Sequence, residues 1–175
     1  EMAVRKILQS GFIAQGDGVR EFENQVADRF GHKACYATTS GAAALKVVLA
    51  SIISGERKEV IVPAYICESV YKSILAAGCI PVIVDVDSET GNVSLSKVIE
   101  KINSQSLAVI IQYIFGLGLN IDQLLNYDIW IIEDCAHSIG VVYRDKILGT
   151  QGHFAIYSFY ATKMLTTGHG GMIGV

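Results

Sequence analysis

The chain has few cysteines, no long apolar run and no excess of positive charge, and each shortage excludes a class of protein. Its four cysteines, Cys35, Cys67, Cys79 and Cys135, form no CxxC pair. They match neither a zinc-ligand spacing nor the dense pattern of a small secreted scaffold, so we expect free thiols and no metal. Only 18% of residues are charged and 51% are hydrophobic in a chain of 175, which predicts one domain with a sizeable core.

The charge pattern and the apolar runs exclude two further kinds of partner. The net charge is −3, and the 14 lysines and arginines are spread along the chain, so we expect no nucleic-acid partner. The longest apolar runs, such as residues 106–115, are too short to cross a bilayer, and residues 1–11 lack the apolar core of a secretory signal. We therefore expect a cytoplasmic protein without a membrane partner.

Apolar strand patterns alternate with helical patterns along most of the chain. Helices are predicted over 19–30, 40–53, 68–78, 94–102 (with Ser94 as N-cap) and 121–126, and strands over 35–39, 59–63, 81–86, 107–112, 128–134 and 154–159. Residues 141–149 predict a hairpin with Arg144 and Asp145 at its turn, and 171–175 begin a further strand. Apolar strands separated by helices predict an α/β fold with a parallel sheet covered on both faces.

Ligands of such sheets lie beyond the carboxyl ends of the strands, so residues just after each strand are candidates for a site. In "TTSGAAAL" (38–45), Ser40, Gly41 and Ala42 begin a helix with open amides, which suits a phosphate. A capped helix packing closely on the sheet is the alternative. No lysine follows in the Walker position, so a P-loop is excluded.

The second junction is "IIEDCAHSIG" (131–140), where Asp134 ends an apolar strand and His137 follows three residues later. A carboxylate at the end of a buried strand needs a partner, because an unpaired charge there is costly. A cap of the next turn by Asp134 and a purely structural His137 are the alternatives.

The third junction, residues 158–174, contains Lys163, which taken alone would be a surface lysine. A phosphate seat, a semi-buried carboxylate and a lysine in one cleft are the set that pyridoxal phosphate requires. Lys163 would form the Schiff base and Asp134 would keep the pyridinium nitrogen protonated. The lysine amine, once released, could move a proton between carbon positions, as transamination requires.

Five ordered motifs make the sequence similar to the DegT/DnrJ/EryC1/StrS family of fold-type I, pyridoxal-phosphate-dependent sugar aminotransferases. They occupy residues 10–33, 39–45, 60–87, 131–140 and 157–173. The resemblance implies a three-layer α/β/α fold with a mostly parallel sheet, the large domain of an aspartate aminotransferase-like transferase. Residues 1–175 would be that single cofactor-binding domain, truncated before the family's smaller C-terminal domain.

The resemblance also implies roles for individual residues. Lys163 would bind the cofactor covalently, Asp134 would pair with the pyridinium nitrogen, His137 would lie near the ring and its 3-oxygen, and Ser158 would bind the phosphate with the amides of Gly41 and Ala42. Related dehydratases have histidine in place of the lysine, so Lys163 favours transamination.

Three positions depart from the family pattern. Ala42 stands where threonine is usual, which leaves the backbone amide but removes a hydroxyl. Cys67 stands where an aromatic residue stacks on the cofactor ring, with Tyr65 two residues earlier, and either residue could cover the ring. His169 replaces a glutamate, and a polar loop residue is the alternative to a role for it.

The implied activity is transfer of an amino group from glutamate or glutamine to a nucleotide-linked keto sugar, in cell-envelope or antibiotic sugar biosynthesis. A homodimer with an active site shared between subunits is implied as well. The alternative from another class is a non-catalytic fragment or scaffold module that keeps the fold but lacks the C-terminal domain. Another fold-type I reaction, such as cysteine desulfuration, is the third interpretation.

Overall fold

A computed structural model of the protein describes residues 2–11, 13 and 15–175; Glu1, together with Phe12 and Ala14 of the first motif, lies outside them. The helices are α1 (Met2–Ser10), α2 (Asp17–Phe30), α3 (Gly41–Ile52), α4 (Glu68–Ala76) and α5 (Leu95–Lys101). The strands are β1 (Cys35–Thr38), β2 (Glu59–Pro63), β3 (Ile80–Val84), β4 (Ser106–Gln112), β5 (Trp130–Asp134), β6 (Val142–Tyr143), β7 (Lys146–Ile147), β8 (Phe154–Ser158) and β9 (Gly171–Gly174). None of the described helices is long and apolar enough to span a membrane.

Seven strands form one sheet in the order β1-β9-β8-β5-β4-β2-β3. All are parallel except β9, which runs antiparallel to both of its neighbours. The predicted fold class, α/β with a mostly parallel sheet, is therefore confirmed. The one antiparallel strand, β9, returns directly from the loop that follows β8 and enters the sheet between β8 and β1.

The core has two halves, one on each face of the sheet, because successive side chains of a strand point to opposite faces. On β5, for example, Ile131 belongs to one half and Ile132 to the other. Residues of α3 and α4 cover one face, and residues of α2 and α5 cover the other. All seven residues of the central strand β4 are buried, which explains its uninterrupted apolar run.

The predicted elements are found with small shifts of their ends, and four details differ. The strand predicted as buried over 81–86 is the edge strand β3, where Ile80 and Ile83 are each 56% exposed because only β2 flanks it. The helix predicted over 121–126 is a 3₁₀ turn, Asp122–Asn126. Ser94 occupies the N-cap position of α5 but makes no side-chain cap bond. The amphipathic α1, which the sequence analysis did not predict, contributes no buried residue.

The predicted hairpin turn and the predicted last strand are both confirmed. Arg144 and Asp145 both have left-handed backbones, with φ of 49° and 63°, as the tight hairpin between β6 and β7 requires. The strand predicted to begin at 171 is β9.

Candidate active site

The polar residues of the site begin at the carboxyl ends of three neighbouring parallel strands. β4 ends at Gln112, β5 at Asp134 and β8 at Ser158. Gln112 pairs with Asp134 in register, and Asp134 pairs with Ile156, so Ser158 lies two residues further along β8. Each polar residue follows, by two positions, an isoleucine of the core half under α3 and α4: Ile110, Ile132 and Ile156. Alternation therefore directs all three polar side chains toward α3 and α4.

A cavity of about 390 Å³ lies between this edge and the start of α3. Eight of the nine residues that the sequence analysis selected line it: Ser40, Gly41, Ala42, Cys67, Asp134, His137, Ser158 and Lys163. The ninth, Tyr65, is 58% exposed and is not among the lining residues. The structure thus brings together four segments of the chain, which begin at Ser40 and end at Lys163.

The N-terminus of α3 forms one wall of the cavity. The Ser40 hydroxyl caps the helix by accepting a hydrogen bond from the Ala43 amide at 3.1 Å. The amides of Gly41 and Ala42 donate to no acceptor within the described part of the chain. Open amides at the positive end of a helix attract an anion. The helix cap and the phosphate seat, which the sequence presented as alternatives, are therefore compatible at this helix.

The start of α3 lies directly against β8 and β9. A Cβ atom on Gly41 would lie 3.2 Å from the Cβ of Ser158, so the Ser158 hydroxyl belongs to the same seat as the amides. A Cβ on Gly171 would lie 2.2 Å from the carbonyl carbon of Ser40, far inside van der Waals contact. Glycine at 171 is therefore required for α3 to reach its position.

Asp134 is buried and poorly bonded. The residue is 7% exposed. Among the described residues, its side chain accepts one hydrogen bond, from the Ala136 amide at 3.0 Å. Burial raises the pKa of this carboxyl, and the Ala136 hydrogen bond and the positive charges of Lys163 and His137 partly oppose that rise. The second carboxylate oxygen is thus left for a donor from outside the protein.

Lys163 lies in the turn after β8 and is half-buried. Its backbone amide donates to the Tyr160 carbonyl at 2.9 Å. Its Nζ atom forms no ion pair in the described ranges. The charge of Lys163 nevertheless lowers the pKa of Asp134 and of His137, and all three residues line the same cavity.

His137 is the second titratable residue on the β5 side of the cavity. Burial and the nearby Lys163 lower its pKa, and Asp134 opposes them. Its Nδ1 atom is buried and has no partner within the described residues. Its ring lies parallel to that of Phe115, with centroids 6.0 Å apart and 4° between the planes. The Nδ1 atom of His137 therefore remains available to a ligand.

Cys67 and Tyr65, the two residues expected to cover a bound ring, differ in their position relative to the cavity. Cys67 is exposed and lines the cavity, and its Sγ accepts a hydrogen bond from the Ser69 hydroxyl at 3.2 Å. Tyr65 is not among the residues that line the cavity. Of the two candidates, Cys67 is the one that lines this cavity.

Sequence reasoning missed Gln112 and gave His169 little weight. Gln112 ends an apolar strand in the same way as Asp134, so the signal that selected the aspartate was present. His169 lines the cavity, with its Nδ1 3.1 Å from the Thr39 carbonyl and its ring edge-on to Tyr160. His169 thus joins the loop after Lys163 to the segment before α3.

Known proteins are similar to this chain over nearly its whole length. The model of the DegT/DnrJ/EryC1/StrS aminotransferase family matches residues 1–175. The GDP-perosamine synthase of Escherichia coli O157:H7 is 33% identical over 97% of this chain and 48% of that protein. The chain spans about half the length of the curated relatives it matches.

Two solved structures have the same fold. AtS13 from Actinomadura melliaura superposes with a TM-score of 0.93 and 32% identity, over 98% of this chain and 49% of AtS13. The E. coli GDP-4-keto-6-deoxy-D-mannose-3-dehydratase with bound hydrated PLP has a TM-score of 0.92 and 26% identity, over 99% and 47% of the two chains. The chain belongs to the DegT/DnrJ/EryC1/StrS aminotransferase family.

Proposed function

We propose that the chain is the cofactor-binding part of a pyridoxal-phosphate-dependent aminotransferase that transfers an amino group from glutamate or glutamine to a nucleotide-linked keto sugar. One observation carries the proposal: an unpaired lysine amine, an under-bonded buried carboxylate and the open N-terminus of α3 share one cavity. We further propose a cytoplasmic homodimer in which the partner subunit completes the site.

The side chains present fit the cofactor. The amides of Gly41 and Ala42 and the Ser158 hydroxyl would bind its phosphate, since together they offer donors beside a helix N-terminus. The free oxygen of Asp134 would accept a hydrogen bond from the ring nitrogen. Lys163 would form the covalent link through its unpaired amine. Each of these groups lacks a partner within the described part of the chain.

The chemistry then divides between the cofactor and the protein. Pyridoxal phosphate supplies an electron-withdrawing ring that stabilises the negative charge left when a carbon loses its proton. Asp134 would hold the ring nitrogen protonated. The burial of Asp134 excludes water, which would strengthen the interaction between its carboxylate and that nitrogen. Lys163, once its amine is released by the incoming amino donor, would remove a proton from one carbon and return it to another.

The relatives support the substrate class. A GDP-perosamine synthase and a GDP-keto-sugar dehydratase are both similar to this chain, so a nucleotide-linked sugar is the proposed acceptor. Within this pair of activities, Lys163 favours amino transfer, because a residue that both links covalently and carries a proton is needed for it.

Reconstitution tests the proposal. We expect the chain to gain a visible absorption band when incubated with pyridoxal phosphate, and borohydride to fix the added mass on Lys163 in a peptide digest. Lys163→Ala should lose the adduct, whereas Lys46→Arg, a change at an exposed lysine of α3, should keep it. Adduct formation that is unchanged in Lys163→Ala would overturn the proposal.

The reactivity of Cys67 offers a second, independent measure of whether pyridoxal phosphate occupies the cavity. It is the exposed member of the four cysteines, while Cys35, Cys79 and Cys135 are buried. Burial also raises the pKa of each of those three thiols, that of Cys35 to about 11, so they react slowly with alkylating reagents. Alkylation of Cys67 should slow when pyridoxal phosphate occupies the cavity, and equal rates with and without cofactor would count against this site.

A further inference from the structure

Gln112 is a buried polar residue of the cavity to which the proposed chemistry assigns no role. It is 6% exposed, it lines the cavity, and its Oε1 atom has no hydrogen-bond partner among the described residues. A buried amide oxygen left without a partner destabilises a fold, since its bonds to water are lost without replacement. The position therefore points to a ligand group that the protein itself does not supply.

The strand order places Gln112 on a defined side of the site. The phosphate seat lies on the β8 side of Asp134, through Ser158, and Gln112 lies on the opposite side, on β4. His137 belongs to this same side, because its ring stacks on Phe115 in the segment that follows β4. The orphaned atoms of Gln112 and His137 are therefore both beyond Asp134 as viewed from the phosphate seat.

The substituents of pyridoxal phosphate follow a matching order. Proceeding from the phosphate arm past the ring nitrogen, the next polar substituent is the 3-oxygen, with an apolar methyl group between them. A glutamine amide can present either its N–H or its carbonyl oxygen toward the same point, because half a turn of its last torsion exchanges the two. Gln112 can thus donate to an oxygen on that side.

We propose that Gln112 binds the 3-oxygen of pyridoxal phosphate through its amide N–H, beside His137. The inference rests on the proposed function, and it adds a cofactor-binding residue on β4 to those on β5, β8 and α3. A donor at this oxygen stabilises its negative charge and weakens its hold on the proton that it shares with the nitrogen of the lysine link. Gln112 would therefore tune the pH at which that proton is lost.

The test compares Gln112→Met with wild type in the full chain. Methionine keeps the unbranched shape but removes both hydrogen-bonding atoms. Gln151→Met is the matched control, because Gln151 is a part-buried amide outside the cavity. We expect the cofactor-free unfolding midpoint of Gln112→Met to equal or exceed that of wild type, since an unpartnered buried amide has been replaced by an apolar group.

With pyridoxal phosphate, we expect Gln112→Met to bind roughly tenfold to a hundredfold more weakly, as the loss of one hydrogen bond to a charged oxygen implies. The pH midpoint of its visible absorption band should rise, while Gln151→Met should match wild type in both measurements. A structural role for Gln112 would not move the pH midpoint in a folded, cofactor-loaded protein.

Two results would overturn the inference while leaving the proposed function intact: a pH midpoint equal to that of wild type, or a lowered cofactor-free unfolding midpoint with unchanged affinity. Failure of the proposed function looks different, because wild type itself would then show neither a visible band nor a borohydride-fixed adduct at Lys163. That outcome would overturn the Gln112 assignment as well.

Discussion

Glu133 and Asp134 are neighbouring carboxylates at the end of one strand, yet the protein treats them in opposite ways. Glu133 is fully buried and accepts four hydrogen bonds. The donors are the Tyr113 hydroxyl at 2.5 Å and the amides of Gly149 at 2.9 Å, Gln151 at 2.7 Å and Gly152 at 2.6 Å. Asp134, with one hydrogen bond from Ala136, faces the cavity.

Strand geometry explains the difference. Successive residues of β5 point to opposite faces of the sheet, so Glu133 meets Tyr113 and the 149–152 segment, while Asp134 faces α3 and α4. Every acceptor position of Glu133 is occupied by the protein, which leaves nothing for a ligand. Between two buried carboxylates, the one that the protein does not saturate is therefore the candidate for chemistry, and the saturated one organises the fold.

Replacing Glu133 should have the largest effect on stability. Glu133→Leu leaves four donors buried without an acceptor, and we expect the free energy of unfolding to fall by roughly 3–5 kcal/mol. Urea denaturation measures it, with Glu133→Gln as an intermediate variant that keeps one acceptor oxygen. A loss below about 1 kcal/mol for Glu133→Leu would contradict the structural role assigned to this residue.

Asp134→Asn should act on ligand binding rather than on the fold. We expect pyridoxal phosphate to bind roughly 10- to 100-fold more weakly, because a hydrogen bond between two charged groups is lost, with no loss in cofactor-free stability. Asp128→Asn is the control, since Asp128 is an exposed aspartate paired with Arg57. Destabilisation of the cofactor-free chain by Asp134→Asn would mean that Asp134, like Glu133, stabilises the fold.

Much of this contrast was beyond the reach of the sequence. The apolar run that ends in Asp134 predicted both the strand and a candidate site, because a carboxylate after a buried strand is conspicuous. The role of Glu133 could not be predicted from the sequence, because its amide donors come from 149–152, a loop whose course depends on the hairpin of β6 and β7. Local patterns predict the elements; the saturation of a carboxylate depends on contacts between distant segments.

The same limit explains the other differences. The β-branched run of β3 is typical of a buried strand, and only the strand order, which places it at an edge, exposes Ile80 and Ile83. The direction of β9 depends on how the loop after Lys163 turns back. In contrast, the residues around the phosphate seat were predictable, because helix starts after strands carry their own signal in small residues and a cap.

The pH dependence of stability sharpens the assignment of Asp134. Burial raises its pKa above the ordinary 3.8, so the folded chain retains a proton at pH values where the unfolded chain has lost it. Between the two pKa values, this residue's contribution to the free energy of unfolding falls by about 1.4 kcal/mol per pH unit as pH rises. Wild type should therefore lose stability relative to Asp134→Asn with rising pH.

Asp85 provides a control of opposite sign for that experiment. Its hydrogen bond with Lys97 lowers the pKa of this exposed carboxyl, so its small contribution is present above the ordinary pKa and is lost as pH falls. Urea denaturation of wild type, Asp134→Asn and Asp85→Asn from about pH 3 to about pH 8, without cofactor, gives both trends, with that of Asp85 at the acidic end. A difference between wild type and Asp134→Asn that does not change with pH would refute the buried, under-bonded description of Asp134.

The smallest expected effect separates the donors of Glu133 from one another. Burial and the adjacent Glu133 raise the pKa of Tyr113, so its hydroxyl stays protonated and donates throughout the accessible pH range. Tyr113→Phe removes this donor but leaves three amides on the carboxylate, and we expect the free energy of unfolding to fall by about 1 kcal/mol. Tyr127→Phe, at a partly exposed tyrosine, should change it by less than about 0.5 kcal/mol. Urea denaturation distinguishes the two variants, and a Tyr113→Phe loss as large as that of Glu133→Leu would mean that the hydroxyl, rather than the backbone amides of 149–152, holds the carboxylate in place.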